Sequence, residues 1–545
     1  MDWVSRAVLV LALAVAIVAT MIPIYSDEIA IQMARARFFI EGGALLNLVP
    51  QCRPLQSFIP LSLYPGAVFN AIVYSGAGDL GLRLRGIGIC AAWLSLVWIW
   101  AGRHPQALVS RRSFQVLALS FNLLGVLPFV LALARSEQLL VFALVAYCML
   151  ALFWRVRASD RMHTKVLKAG LLFLVTSVFL LTHPKAVFFA PVVLASGWLT
   201  FRDAGRSWWM GVLLMMGLAI VQAIRYVLAT SACPGAPAMA KVLAQHTLDF
   251  QLLATDPRAL LQAGLHNLAA SLGLVMDRVP ATLAYQSNWL PSVRGEWMQP
   301  WLQGFGKLLK ASLYLLALLL LVAAIVRFVV QLLHRRLDGE VLLGIALVAG
   351  LVLHGIVYNT NAWHFYTPGL VVPALVVLLL LVWPTRGAPP NWLRQASGVF
   401  ASYWMLLALA SMVLLLAIQA PRLLQIARAG EYVIEGQLLS TPVFVRDDER
   451  ARLLALARRC DIKDGDARLV LDGPAYLRFQ HGRQPINVFY VSDFAFGMDI
   501  GKRLPQFLKE IDSGGVLSRC DFLPQALRDK SVVSGTMCCV SKAGL

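Results

Sequence analysis

The chain has 545 residues, of which 59% are hydrophobic and only 14% are charged, and its mean hydropathy is +0.69. Soluble domains usually carry about 25% charged residues, so this composition excludes a water-soluble globular fold for most of the chain. The formal charge of +19 does not indicate nucleic-acid binding, and no nucleic-acid partner is expected, because the surplus Lys and Arg lie in short loops between apolar runs.

Apolar runs long enough to cross a bilayer recur along the sequence. A spanning helix needs roughly 20 apolar residues, and about eleven runs reach or approach that length. They are residues 7–25, 84–101, 114–133, 138–154, 167–182, 186–200, 208–229, 308–332, 341–357, 365–383 and 397–419. The first run is longer than the apolar region of a usual signal peptide and lacks a clear cleavage site, which favours a retained anchor. The fold class predicted is a polytopic α-helical membrane protein.

The positions of Lys and Arg predict an orientation, because short cytoplasmic loops are enriched in these residues. Five alternate loops hold most of them: Arg103, Arg111 and Arg112; Arg155, Arg157, Arg161, Lys165 and Lys168; Arg202 and Arg206; Arg335 and Arg336; Arg386 and Arg394. The intervening short loops hold only Arg135 and Lys185. The pattern predicts a multi-pass protein of the bacterial inner membrane with a cytoplasmic N-terminus and a periplasmic C-terminal domain.

Three long segments are predicted to lie outside, at residues 26–82, 230–306 and 421–545. Helical spacing of apolar residues at 27–41 and 256–276 predicts helices that lie in the membrane interface. We therefore expect a transmembrane domain over residues 1–429, with periplasmic loops 26–82 and 230–306, and a small soluble α/β domain over residues 430–545.

Cysteine placement agrees with this map. Cys90 and Cys148 fall inside apolar runs, and the other six fall in segments predicted to face the oxidising side, where an even number is typical of disulfides. The six are Cys52, Cys233, Cys460, Cys520, Cys538 and Cys539. Among fifteen connectivities, the pairs expected are Cys52 with Cys233 and Cys460 with Cys520; reduced, scattered thiols are the alternative.

Four polar motifs stand at the predicted outer ends of the runs: residues 26–28, 135–137, 182–185 and 364–368. Each also has a structural explanation: in the same order, a helix N-cap, an interfacial ion pair, a snorkelling Lys and an aromatic belt. Together they combine carboxylates with cations on one side of the membrane. Sugar transfer from a lipid phosphate to a hydroxyl needs a carboxylate that accepts the proton and cations that stabilise the departing phosphate.

These motifs resemble the N-terminal signature of the GT-C superfamily of membrane glycosyltransferases, nearest to its protein O-mannosyltransferase and aminoarabinose-transferase branch. The similar stretches are Tyr25-Ser26-Asp27-Glu28, Glu41-Gly42-Gly43, Arg53-Pro54-Leu55, Tyr64-Pro65, Gly81 with Arg83 and Arg85, Ala134-Arg135-Ser136-Glu137, Leu181-Thr182-His183-Pro184-Lys185 with Pro191, and His364-Phe365-Tyr366-Thr367-Pro368 with Pro373. Two departures are Arg53 in place of the family's usual Pro and two residues inserted before Lys185.

The resemblance implies an inverting transfer from a polyprenyl-phosphate sugar donor, with membrane lipids around it and a glycan, lipid or protein as acceptor. It implies Asp27 as general base, Glu28 as the residue that orients it or contacts the sugar, and Glu137 as a ligand of sugar hydroxyls or acceptor. Implied phosphate contacts are Lys185 or His183, with Arg53, His364, Tyr366 and Arg135 as further substrate-binding candidates.

Two points stay open on the sequence. Asp27, Glu28 and Glu137 offer oxygen ligands that suit Mg²⁺ or Mn²⁺, although no spacing demands a metal. A transporter or flippase is the alternative from another functional class, although inverted repeats and broken helices around a midplane polar site are not evident. A lipid-linked polymerase or ligase would share the chemistry of the transferase.

Overall fold

The computed structural model describes residues 2–25, 28–29, 33, 70, 72–104, 108–231, 247–279, 299–358, 367–383, 390–435, 438–488 and 500–545. Up to residue 429 the described helices are α1 (Asp2–Ala19), α2 (Asp79–Ala101), α3 (Arg111–Ser120), α4 (Leu127–Leu131), α5 (Ser136–Phe153), α6 (Met162–Thr182), α7 (Ala190–Phe201), α8 (Arg206–Ser231), α9 (Leu252–Thr255), α10 (Pro257–Arg278), α11 (Gln299–Leu333), α12 (Gly339–Val357), α13 (Pro368–Val382) and α14 (Asn391–Ala429). Single 3-10 segments follow α3, α6 and α7 at Phe121–Leu123, Pro184–Phe189 and Arg202–Ala204.

Within the described residues, nine helices are long and apolar enough to cross a membrane, and two shorter apolar helices accompany them at Trp3–Ala19 and Pro368–Val382. Large apolar side chains such as Leu214, Leu318 and Val399 are exposed on the outside of these helices. Extended apolar surface of this kind requires a lipid environment. The chain is therefore a helical membrane protein, which confirms the fold class at this level.

The apolar run at 114–133 does not form one continuous helix. Between α3 and α4 the chain turns at Gly125, whose φ of 52° lies in the left-handed region that glycine adopts without a steric penalty. Pro128 then stands in the first turn of α4, where its missing N–H costs nothing. The Val126 N–H donates to the Val279 carbonyl at 3.0 Å. This run is apolar because it is buried within the protein.

Helix α10 corresponds to the predicted interfacial helix at 256–276. The Asp256 side chain caps it by accepting from the Ala259 N–H. It packs on the end of α12, where Asn267 donates to the Ile356 carbonyl at 3.2 Å. Its length and hydropathy also satisfy those of a spanning helix.

The loops rich in Lys and Arg meet at one end of the bundle, here called the basic end (residues 101–104, 108–112, 153–168, 200–206, 327–340 and 381–383). The Val156 N–H donates to the Thr200 carbonyl at 2.7 Å, and Arg327 donates to the Leu381 carbonyl at 3.0 Å. Gly339 packs against the Arg155 side chain. These contacts join the ends of α5, α7, α11, α12 and α13.

After α14 the chain forms β-strands and short helices. They are β1 (Val433–Glu435), β2 (Leu438–Ser440), α15 (Asp447–Arg459), β3 (Val470–Leu471), α16 (Gly473–Phe479), β4 (Ile486–Asn487), α17 (Ile500–Glu510), β5 (Gly515–Arg519), α18 (Gln525–Arg528), β6 (Val532–Ser534) and β7 (Met537–Ser541). Strands β1 and β2 pair antiparallel, and the other five form a sheet of order β4-β3-β5-β7-β6. In that sheet β3 is parallel to β4 and β5, whereas β7 is antiparallel to β5 and β6.

Two disulfides fasten the described cysteines of this region, and they correct the expected pairing. Cys460 bonds to Cys539, and Cys520 bonds to Cys538, so the expected Cys460–Cys520 pair is wrong. Cys538 and Cys539 are consecutive on β7, and successive side chains of a strand point to opposite faces. Each therefore needs its own partner: Cys460, at the end of α15, bonds to Cys539, and Cys520, after β5, bonds to Cys538. Cys52 and Cys233 lie outside the described residues.

The sheet region packs on the other end of the bundle, here called the site end (residues 22–25, 28–29, 74–83, 132–137, 182–185 and 354–358). Ile24 and Thr441 exchange two backbone hydrogen bonds, at 2.7 and 3.0 Å. Gln480 donates to the Ala77 carbonyl at 3.0 Å. One buried apolar cluster contains side chains from both regions, including Ile24, Tyr74, Leu82, Leu453, Tyr476 and Leu517.

Candidate functional site

Glu28 and Arg83 form a buried ion pair at the site end. Both side chains are 0% exposed, and the guanidinium binds both carboxylate oxygens, at 2.9 and 3.0 Å. Arg83 also donates to three carbonyls, those of Ile22, Pro23 and Ala132. Glu28 accepts further hydrogen bonds from the N–H groups of Tyr25 and Ala134. Every oxygen of Glu28 is thus occupied, which suits a residue that orients its neighbour better than one that contacts a sugar.

This pair fixes the turn that precedes α5. The turn comes close to α2 because Gly86 has no side chain: a Cβ there would lie 2.6 Å from the Ala132 carbonyl oxygen and 2.9 Å from the Ala134 nitrogen. Tyr74 donates from its hydroxyl to the Arg135 carbonyl at 3.2 Å. Contacts with Glu28, with α2 and with Tyr74 therefore determine where helix α5 starts.

Glu137 lies in the first turn of α5, buried and surrounded by cations. Its Oε2 is 3.3 Å from Arg135 Nε, and its Oε1 is 3.7 Å from both His183 Nε2 and Lys185 Nζ. A buried carboxylate keeps its charge only when cations or donors compensate it. The structure thus gathers three of the candidate residues, Arg135, His183 and Lys185, around the carboxylate of a fourth.

The segment after α6 places both of its basic residues at that carboxylate. Pro184 opens a 3-10 turn, and the Lys185 N–H donates to His183 Nδ1 at 3.1 Å. Because Nδ1 accepts this bond, the His183 proton is assigned to Nε2, the atom that faces Glu137. Lys185 is 1% exposed and His183 is 23% exposed at the side chain. The insertion of His183 and Pro184 before Lys185 is therefore accommodated with both basic side chains at the site.

His354, in the last turn of α12, and Tyr358, directly after that helix, complete the cluster. Sequence reasoning missed both. Lys185 Nζ lies 4.9 Å from the centroid of the Tyr358 ring. That ring stacks on His354 at 5.2 Å, and His354 meets the edge of Phe188 at 5.7 Å. His354 is buried, and its Nε2 has no hydrogen-bond partner among the described residues. Its position in the last turn of an apolar helix was the available signal.

The remaining candidates, Asp27, Arg53, His364 and Tyr366, lie outside the described residues. Asp27 is the residue before Glu28 in the sequence. Its assignment as general base stays a prediction.

The described residues do not fit a divalent cation. In the part of the chain that is described, no three His, Cys, Asp or Glu side chains are grouped as a metal site. Both oxygens of Glu28 bind Arg83, and Glu137 Oε1 faces the His183 Nε2 donor and Lys185. The charge of Lys185 opposes the binding of a further cation there. These two carboxylates are therefore engaged with cationic side chains of the protein itself.

Chemically, the site combines a buried carboxylate with cations from two segments distant in sequence. Such a group of charges binds an anion on its cationic side and a hydroxyl on its carboxylate side. Comparison of the chain with known protein families, with curated proteins and with solved structures finds no match.

Proposed function

We propose that this chain is a glycosyltransferase that moves a sugar from a polyprenyl-phosphate carrier to a hydroxyl acceptor. The observation that supports it is the convergence of Glu137 with Arg135, His183 and Lys185 at the site end. The proposal includes about eleven spans, the bacterial inner membrane, a cytoplasmic N-terminus and a periplasmic domain over residues 430–545. The site end would then face the periplasm.

In the proposed reaction the acceptor hydroxyl attacks the anomeric carbon and gives its proton to the Asp27 carboxylate. The bond between that carbon and the carrier phosphate breaks, and the phosphate leaves with the electron pair. One displacement inverts the anomeric carbon. A phosphate leaves without prior protonation, so one base is sufficient, in contrast to the two carboxylates of a glycosidase.

The cations act on the departing phosphate. Lys185 neutralises the charge that grows on its oxygens, with His183 beside it, and Glu137 holds these cations in place while it binds sugar or acceptor hydroxyls. A buried Lys is effective in this role because charges interact more strongly where water is excluded.

The test uses purified protein in nanodiscs with a mass-tagged polyprenyl-phosphate sugar and membrane extract. Release of free carrier phosphate supports a transferase, whereas movement of the intact donor without release supports the transporter. Asp27→Asn is expected to abolish turnover and to retain carrier binding, because only the proton acceptor is lost. Its matched control is Asp277→Asn, at an exposed carboxylate that pairs with Lys310.

Lys185→Ala is expected to weaken carrier binding, and Lys310→Ala is the matched control for loss of a cation. Carrier affinity equal to wild type in Lys185→Ala would remove this residue from the phosphate site. Full turnover in Asp27→Asn would show that the base is another group.

A further inference from the structure

Two cations at the basic end rest on two consecutive aromatic rings. The Arg103 guanidinium carbon, just after α2, lies 4.7 Å from the centroid of the Phe153 ring. Lys168 Nζ, on α6, lies 5.1 Å from the centroid of the Trp154 ring. A cation above a ring is held by the ring's quadrupole. The end of α5 thus carries two positive charges, one from the segment after α2 and one from α6.

Negative charge is scarce around these cations. Residues 153–168 contain five Lys and Arg residues and one carboxylate, Asp160. Lys168 Nζ lies 3.5 Å from Asp160 Oδ2. Among the described residues the Arg103 guanidinium has its ring contact and no carboxylate partner. A stacked guanidinium still presents N–H donors at its edge, so an anion can bind there.

The surface around the cations faces lipid. Phe153 is 43% exposed and Trp154 is 37% exposed, although both are large and apolar. Further along α6, Leu167, Leu171 and Leu174 are exposed at the spacing of one helix face. An apolar stripe therefore leads from the cations along a helix that is apolar enough to span the membrane.

We propose that Arg103, Phe153, Trp154 and Lys168 bind the headgroup of an anionic phospholipid. Its phosphate would lie on the two cations, and an acyl chain would follow Leu171 and Leu174. Aromatic rings and cations at the end of a spanning helix are typical of the membrane–water interface, where anionic headgroups are found. Membrane orientation depends only on how many cations the loops carry. Here aromatic rings hold a cation from each of two segments at the end of one helix, which is the arrangement of a binding site.

The test measures lipid retention on the full-length protein by native mass spectrometry after delipidation in neutral detergent. Phosphatidylglycerol and phosphatidylcholine are added together in equal amounts. The test variant is Arg103→Gln with Lys168→Gln. The control is Arg335→Gln with Arg336→Gln, which removes two exposed cations from the same end.

Wild type is expected to retain phosphatidylglycerol in preference to phosphatidylcholine. In the test variant the ratio of retained phosphatidylglycerol to phosphatidylcholine should fall roughly ten- to thirty-fold, as expected for the loss of two headgroup cations. The control should stay within about two-fold of wild type, because its two cations are not part of the site. Trp154→Leu, which keeps every charge, should also lose part of the preference. Thermal unfolding in detergent alone checks that each variant folds, and Arg103→Gln alone replaces the double variant if that one does not.

Equal losses in the test and control variants would show general surface charge and overturn the proposal. Absence of a preference in wild type would do the same. A third arm adds polyisoprenyl phosphate, and its retention over phosphatidylglycerol would identify a carrier-binding surface instead. None of these readouts depends on the proposed transferase activity.

Discussion

Arg83 and Glu28 lie 55 positions apart in sequence and pair with both side chains fully buried. The guanidinium also binds backbone carbonyls at the end of α1 and in the turn before α5. The pair therefore joins three segments: the one after α1, the start of α2, and the turn before α5 that leads to Arg135 and Glu137.

Arg83→Ala is expected to destabilise the protein strongly. It leaves the Glu28 charge buried without a partner, which costs about 3–5 kcal/mol. Arg83→Lys keeps the charge but loses the two-pronged geometry, so an intermediate effect is expected. The measurement is the thermal unfolding midpoint in detergent. Arg85→Ala is the control, since Arg85 is exposed and, within the described residues, donates to the carbonyls of Val73 and Ser75. An unchanged midpoint in Arg83→Ala would contradict the structural role of the pair.

His354→Phe tests the residue that sequence reasoning missed. Phe keeps the ring contacts with Phe188 and Tyr358 and removes the nitrogen that faces the site. Loss of one hydrogen bond to a charged group weakens binding by about 1.5–3 kcal/mol, so the KM for the lipid donor should rise at least about ten-fold with a smaller change in kcat.

The matched control is His104→Phe at the basic end. Burial, together with the charge of Arg327, lowers the pKa of His104 to about 4, so this imidazole is neutral at pH 7. Its two nitrogens have no hydrogen-bond partner within the described part of the chain. A rise in KM of equal size in His104→Phe would mean that the effect does not come from the site.

The two disulfides are expected to contribute unequally to stability. Cys460 and Cys539 are 79 positions apart, whereas Cys520 and Cys538 are 18 apart. Loop-closure entropy predicts about 4.5 kcal/mol for the first bond and about 3 kcal/mol for the second. Thermal unfolding of the two Cys→Ser pair variants measures the order. Peptide mapping without reduction tests the pairing itself, and a Cys460–Cys520 peptide would contradict the structure.

Asp472 predicts a pH dependence for the sheet region. Burial raises the pKa of its carboxyl to about 7, although the N–H groups of Ala475 and Arg519 donate to it and oppose the shift. The protonated form is therefore favoured in the folded state. Its contribution is complete below the unfolded pKa of about 3.9 and is lost as the pH rises to about 7, by up to about 4 kcal/mol.

Asp472→Asn removes this titration. The difference in unfolding midpoint between wild type and variant should fall from pH 4 to pH 7 and stay level above pH 7. Asp529→Asn, at an exposed carboxylate of the same region, is the control. A difference that is constant over the whole range would show that the carboxyl is ionised throughout.

Much of the bundle follows from the sequence because a lipid environment selects for apolar runs of defined length. The run at 114–133 misled the prediction, since burial inside protein produces the same composition as exposure to lipid. The break depends on Gly125 and Pro128, two residues that spanning helices also tolerate.

At the site, the short motifs located Glu137, His183 and Lys185, because charged groups at the ends of apolar runs are conspicuous. They did not reveal the role of Arg83. It is one of two arginines at the start of α2, and only the folded structure shows that Arg83 is buried with Glu28 whereas Arg85 is exposed. Nor did they reveal His354, because Phe188 and Lys185, which lie near its ring and that of Tyr358, come from a segment that only the folded chain brings close. The disulfide pairs likewise depend on strand register.

The bond from Gln480 to the Ala77 carbonyl links residues 403 positions apart, and Ile24 pairs with Thr441, which is more distant still. The beginning of the chain enters the membrane early in synthesis, while its backbone partners are still untranslated. Assembly of the site end therefore finishes late: a ribosome that stalls before the sheet would release a bundle already inserted in lipid whose site end lacks its partners from the sheet region.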